Sequence, residues 1–152
     1  MYNNRVMTFK FIKLDDKYIS ELLSLSAKWE EENITNGYHK NVESDIEEPI
    51  VIAIDNNKIV GYCFGEFYIE KSTFSYIKPG SKCFRICEIY VLPEYRSQGI
   101  GKKIIDMLMD KVKNDCEYTV LSTSTKDYKK ILKFYIDDVG MEFHSAFLIK
   151  KN

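Results

Sequence analysis

The chain has 152 residues, 45% of them apolar and 30% charged, with a net charge of −1. This is the balance of one globular domain built on one sizeable core. It excludes the basic field that draws nucleic acid or an anionic membrane, and no apolar run approaches the ~20 residues of a membrane span.

The N-terminus lacks the roughly 7–15-residue apolar core of a secretory signal, so a cytoplasmic location is the expectation. The four cysteines, Cys63, Cys83, Cys87 and Cys116, form no C-x-x-C pair, and only His39 and His144 supply imidazole. That set predicts no metal site and free thiols in a reducing compartment. Cys83 and Cys87, four apart in a strand-like run, are expected along one strand face, too distant for a relaxed disulfide.

Residues 5–13 alternate roughly and predict a first strand. Asp15 is placed to cap a helix running to about Glu31, with Tyr18, Leu22, Leu25 and Trp29 on one side. Residues 33–48 are polar and loop-like, with room for a short helix. Pro49 opens a strand over Ile50–Ile54, Asp55-Asn56-Asn57-Lys58 makes a turn, and a second strand follows to about Glu70, giving a β-hairpin. Residues 71–82 read as a loop around Pro79-Gly80, and Cys83 to Leu92 as the next strand.

A helix is expected from about Gly99 to Asn114, where Ile100, Ile104, Leu108 and Val112 recur every four residues. Tyr118 to Ser122 reads as a strand, residues 126–138 as a helix stopped by Gly140, and Met141 to Lys150 as a final strand. The order β-α-β-β-β-α-β-α-β predicts a mixed α+β domain, one sheet with helices on its faces.

The chemistry is concentrated in Ile89-Tyr90-Val91-Leu92-Pro93-Glu94-Tyr95-Arg96-Ser97-Gln98-Gly99-Ile100-Gly101-Lys102. A strand, a tight turn with two glycines and a helix start follow one another. The first amides of a helix lack intrahelical acceptors, and the helix dipole adds positive potential, so this is an anion site suited to phosphate. Gly99 and Gly101 remove Cβ atoms where a diphosphate would approach, and Arg96 and Lys102 can add charge. A capped strand-to-helix turn without a ligand is the plainer alternative. The Walker A spacing is absent, and Ile104 stands where a Rossmann fingerprint needs its third glycine. What the segment does match is [QR]-x-x-G-x-[GA], through Arg96, Gly99 and Gly101.

With its preceding Val-Leu-Pro-Glu-Tyr-Arg run, the segment resembles the coenzyme A motif of the GNAT N-acetyltransferase superfamily. Phe134-Tyr135, followed by Gly140-Met141-Glu142-Phe143, resembles that family's second signature. The likeness spans nearly the whole chain and is weakest over residues 1–48. It implies one acetyltransferase domain over residues 1–152. Its sheet would be mixed and mostly antiparallel, with helices on both faces and a splayed central strand pair. Two features depart from the family: Tyr135 precedes Gly140 by five residues rather than four, which predicts one extra residue at the helix end, and Tyr128 stands where an asparagine is frequent.

The resemblance further implies acetyl-CoA as co-substrate, without metal, and direct transfer to the primary amine of a small, cationic acceptor. Protein or peptide acetylation, and a non-catalytic CoA-binding module, are the alternatives. Ile89, Tyr90 and Val91 would pair with the pantetheine arm through their backbones, beside a β-bulge that opens the strand, and amides across Arg96–Lys102 (Ser97, Gln98, Gly99, Ile100, Gly101) would hold the diphosphate. Tyr135 would protonate the departing thiolate, or simply pack.

Glu88 would be the general base, its strand alternation placing it beside Phe84, Ile86 and Tyr90, although a solvated strand-edge acid would look the same. Glu30, Glu31, Glu32, Glu43, Asp45, Glu47 and Glu48 would line an acceptor wall or form a solvated loop. Dimers are common in the family, which leaves a homodimer open.

Overall fold

The computed structural model describes residues 6–152. Arg5, the first residue of the expected opening strand, lies outside them. Five strands form one sheet in sequence order: β1 (Thr8–Ile12), β2 (Ile50–Asp55), β3 (Lys58–Ile69), β4 (Lys82–Val91) and β5 (Tyr118–Val120). The first four are antiparallel, and β5 joins β4 in parallel. The helices are α1 (Ile19–Glu32), α2 (Ile100–Val112) and α3 (Tyr128–Lys133). None among the described residues is long and apolar enough to cross a membrane.

β2 reads as an unbroken apolar run because it is buried on both sides. Asn56 and Asn57 both take positive φ, as a two-residue hairpin between β2 and β3 requires. The helix α1 begins at Ile19, later than Asp15 suggested. Asp16, not Asp15, does the local work, its carboxylate accepting the Tyr18 N–H at 2.9 Å. Leu22 and Leu25 go into the core, and Glu21 accepts the Ile59 N–H at 3.0 Å, which docks the helix on β3.

On the opposite face, Ile104, Ile105, Leu108 and Val112 of α2 are almost fully buried. Each such side chain contributes roughly 1.5–3 kcal/mol. Gly61 is what lets α2 sit so close, since a Cβ there would stand 3.1 Å from the Ile104 side chain and 3.0 Å from the Tyr90 carbonyl.

Two irregularities shape the site. In β4 the register pairs Glu88 with Phe64 but Ile86 with Gly65, so Cys87 is an extra, bulged residue. A bulge reverses the alternation. Glu88 therefore shares a face with Tyr90, Tyr62 and Phe64, not with Phe84 and Ile86 as unbroken alternation predicts. Cys83 is buried and Cys87, at the bulge, is exposed. The second irregularity follows α3, where Phe134–Asp138 form a π-helical turn and the Val139 N–H reaches back five residues to the Phe134 carbonyl at 3.0 Å. This is the extra residue predicted from the spacing of Tyr135 and Gly140, and Gly140 ends the turn at φ +85°.

The expected final strand is absent. Met141–Lys150 forms no ladder, and Phe147, Leu148 and Ile149 stand exposed. Alternating side chains alone do not make a strand, because its N–H and C=O groups need a partner.

Candidate active site

The site lies where β4 and β5 part. Their pairing covers only Cys83–Arg85 against Tyr118–Val120. Beyond it, β3 is the one strand among the described residues that pairs with the C-terminal half of β4. The Leu92 N–H donates to the Val60 carbonyl at 2.9 Å, which marks Leu92 and, by alternation, Tyr90 as residues that turn both backbone groups toward β3. Ile89 and Val91 consequently turn theirs toward the gap. Of the three residues expected to offer their backbone there, Tyr90 does not.

The chain then turns through Pro93–Tyr95 into α2. Ser97 and Gly99 take φ of +60° and +80°, the left-handed region that glycine enters without cost. No side chain caps the helix. Arg96 N–H returns to Pro93 and Lys103 N–H to Gly99. Between them, the amides of Ser97, Gln98, Gly99, Ile100, Gly101 and Lys102 donate to no acceptor among the described residues. A Cβ on Gly101 would find only ordinary contacts, 3.7 Å to Phe134 and 3.8 Å to Val91. The packing of the fold does not require glycine there, and the space in front of the bare amides suits a diphosphate.

The two basic side chains expected to add charge are occupied elsewhere. Arg96 donates through Nε to the Val91 carbonyl at 2.8 Å and through both terminal nitrogens to Glu32 at 2.8 and 3.0 Å. Lys102 pairs with Asp106.

On the α1 face, Glu88 is half-buried in a ring of donors. Its Oε2 accepts from Tyr62 Oη at 2.8 Å, Asn41 Nδ2 at 2.8 Å and Tyr38 Oη at 3.3 Å. Oε1 has no partner among the described residues. Ser26 of α1 fixes the arm that brings these groups in, lying 2.7 Å from Tyr38 Oη and accepting the Asn41 N–H at 2.8 Å. Trp29 stacks between Tyr38 and Tyr90 at centroid distances of 4.0 and 5.3 Å.

Burial raises the Glu88 carboxyl above its ordinary value, the bonds from Tyr62, Asn41 and Tyr38 oppose this, and the nearby charge of Asp45 adds to it. Tyr38 is pushed up to about 12, chiefly by burial. None of Tyr38, Asn41 and Tyr62 is signalled by the sequence, because their meeting with Glu88 depends on the bulged register and on a loop folded back over the sheet.

The family model for the acetyltransferase (GNAT) family matches residues 14–140. The chain belongs to the GNAT acetyltransferase family. Solved structures with the same fold include an aminoglycoside N-acetyltransferase in complex with CoA, TM-score 0.68 at 16% identity over 100% of this chain and 98% of that one. A ribosomal-protein-alanine N-acetyltransferase from Brucella melitensis biovar Abortus 2308 has TM-score 0.67 at 18% identity, over 97% and 100%. A predicted acetyltransferase with acetyl-CoA from Clostridium acetobutylicum has TM-score 0.66 at 18% identity, over 96% of each chain. No curated protein matches in sequence.

As a GNAT domain, the chain places its two expected catalytic residues apart. Glu88 is on the α1 face, whereas Tyr135 is buried on the α2 face, where Cys63 is close enough for its charge to be felt. The gap beside Ile89 and Val91 lies between them. Burial foremost, and Cys63 second, raise the Tyr135 phenol above its ordinary value, so it stays protonated at neutral pH.

The acidic wall separates into parts. Glu32 serves Arg96, Glu30 accepts the Lys40 N–H at 2.6 Å, and Glu48 accepts the Leu14 N–H at 3.0 Å. Asp45 acts on Glu88, and Glu47 acts with Glu66 on Cys87, whose thiol burial pushes up to about 11. A thiol held there is a poor nucleophile at neutral pH.

Gly101→Val tests the anion site directly. Because Gly and Val differ little in helix propensity, stability should hold within about 1 kcal/mol. CoA affinity should fall at least about tenfold, read by calorimetry, because the side chain fills the space before the amides. Unaltered affinity would remove this turn as the diphosphate site.

Proposed function

We propose that this chain transfers the acetyl group of acetyl-CoA directly to a primary amine of a small cationic molecule, residues 1–152 acting as one catalytic domain. The observation that carries the reading is the run of six bare amides at the start of α2, continuous with an unpaired β4 edge. Acetyl-CoA, when bound, supplies an activated thioester. The amides of Ser97 to Lys102 hold its diphosphate, and the gap-facing groups of Ile89 and Val91 take up the pantetheine arm and donate to the thioester carbonyl. Glu88 accepts the proton of the incoming ammonium at Oε1, which restores a lone pair to the nitrogen. Tyr135 gives its phenolic proton to the sulfur. Holding both reactants in one slot supplies much of the acceleration.

The choice of acceptor rests on charge. Asp45, Glu47 and Glu88 gather around the bulge, where Glu66 is paired with Arg85 at 2.8 Å, and the net field of these groups favours a cation. The neighbouring folds include enzymes named for aminoglycosides and for a ribosomal-protein alanine, so the fold alone does not choose between small molecules and proteins. Four free thiols suit a reducing cytoplasm.

The test is thiol release from acetyl-CoA against a panel of polyamines, aminoglycosides, amino acids, and lysine or N-terminal peptides. We expect turnover with small polycations. Turnover confined to peptides would overturn the acceptor class, and CoA binding without turnover on any amine would leave a binding module.

A further inference from the structure

We propose that Glu32 is a positioning residue for the cofactor loop, holding it in its diphosphate-binding shape through Arg96. The proposal rests on the CoA reading above and adds a residue on an element remote from the motif.

The first ground is an unfavourable local arrangement. The last turn of α1 carries Glu30, Glu31 and Glu32 and no basic residue. A helix C-terminus is the negative end of the dipole, so acids there are destabilising unless a cation meets them. Glu30 is met by the Lys40 amide and Glu32 by Arg96, from 64 residues further along the chain. A local cost met by a long-range partner is the pattern of a functional constraint.

The second ground is the geometry of that partner. Arg96 begins the cofactor turn, and the Glu32 carboxylate grips both its terminal nitrogens, a planar two-point contact that fixes orientation as well as distance. The remaining guanidinium nitrogen, Nε, donates to the Val91 carbonyl at 2.8 Å. Glu32 also accepts the hydroxyl of Tyr90. One carboxylate thus ties α1 to the end of β4 and to the residue just before the positive-φ step at Ser97. Released from it, the turn would keep the Arg96 and Tyr95 backbone bonds to Pro93 and Leu92, the Tyr95 hydroxyl on Asp55 and the Gln98 side chain on the Glu94 carbonyl, and none of these four bonds reaches α1.

Glu32→Gln keeps the volume and an acceptor oxygen for Tyr90 but loses the charge and the two-point grip. CoA affinity, measured by calorimetry, should weaken about tenfold. Steady-state kcat/KM with acetyl-pantetheine, which lacks the diphosphate, should stay within about twofold, a split that general loosening of the fold would not give. Arg96→Lys, which keeps the charge and loses the fork, should weaken CoA binding to a similar extent, and the double variant should lose no more than either single one. An unchanged or tighter CoA affinity in Glu32→Gln, an equal loss on both donors, or additive losses would each overturn the role of Glu32. The wild-type titration separates the two levels: no CoA uptake there overturns the acetyltransferase reading itself.

Discussion

Glu88→Gln should lower kcat/KM by about 10²–10³ and remove the ascending limb of its pH profile. The two oxygens of the side chain have different surroundings. Three donors converge on Oε2, so the carboxylate is held in one orientation and Oε1 is left for the acceptor. Burial works against the charge and lifts the carboxyl above its ordinary range, while the three bonds keep it from rising further. The wild-type rate should therefore rise with pH as Glu88 loses its proton, at a pH above that of an exposed glutamate, and fall as the group is reprotonated.

Stability runs the other way. A carboxyl whose folded pKa is raised favours the folded state when protonated and costs stability once ionised, across the window between its unfolded and folded values. A glutamine, which carries no charge to desolvate and still offers an amide oxygen to Tyr62 and Asn41, should leave the protein at least as stable at neutral pH. Rates across pH and chemical denaturation of the same variant check both. A variant with a full rate, or with its ascending limb intact, would remove Glu88 as the base.

How much of this was readable beforehand follows the range of each interaction. The turn into α2 was legible because everything it needs is local: Gly99 for a positive φ, apolar residues every four positions for the helix, and a missing cap. The π-helical turn was legible too, since one residue too many between Tyr135 and Gly140 has to be absorbed within a few positions.

The bulge is implied by the family resemblance, beside Ile89–Val91, but its place at Cys87 is not legible in β4 itself, which reads as regular alternation, because a bulge is a statement about the opposing strand. The sequence accordingly points to Glu88 but to the wrong neighbours for it. Its real ones come from β3 and from the loop after α1, 26 to 50 residues away. The grip of Glu32 on Arg96 is hidden for the same reason, although three acids at a helix end without a base hint that something else meets them. The unformed final strand shows the reverse case: Phe147, Leu148 and Ile149 have the residue types of a strand, yet pairing is settled by what stands alongside.

The spacing of Tyr135 leads to the other large effect. Tyr135→Phe should reduce kcat by about 10²–10³ and leave CoA affinity within about twofold. Tyr135 is 7% exposed, and its hydroxyl has no hydrogen-bond partner among the described residues. The ring is enclosed while its unpartnered oxygen is not among the fully buried ones, so packing alone would be served about as well by phenylalanine. A hydroxyl that is unbonded within the core and not sealed inside it is open to a partner that arrives with the substrate.

A phenol raised above its ordinary value is a reluctant donor to a thiolate in water. The same burial that raises Tyr135 also raises the thiol of Cys63 nearby, and a sulfur departing into that environment would be raised in the same direction. Phenylalanine should therefore preserve or slightly increase thermal stability while the turnover falls. Thiol release at saturating acetyl-CoA, CoA titration and a melting curve on one preparation separate these effects. Turnover equal to wild type would place the proton source elsewhere, and a parallel loss of CoA affinity would reassign Tyr135 from proton donor to part of the binding wall.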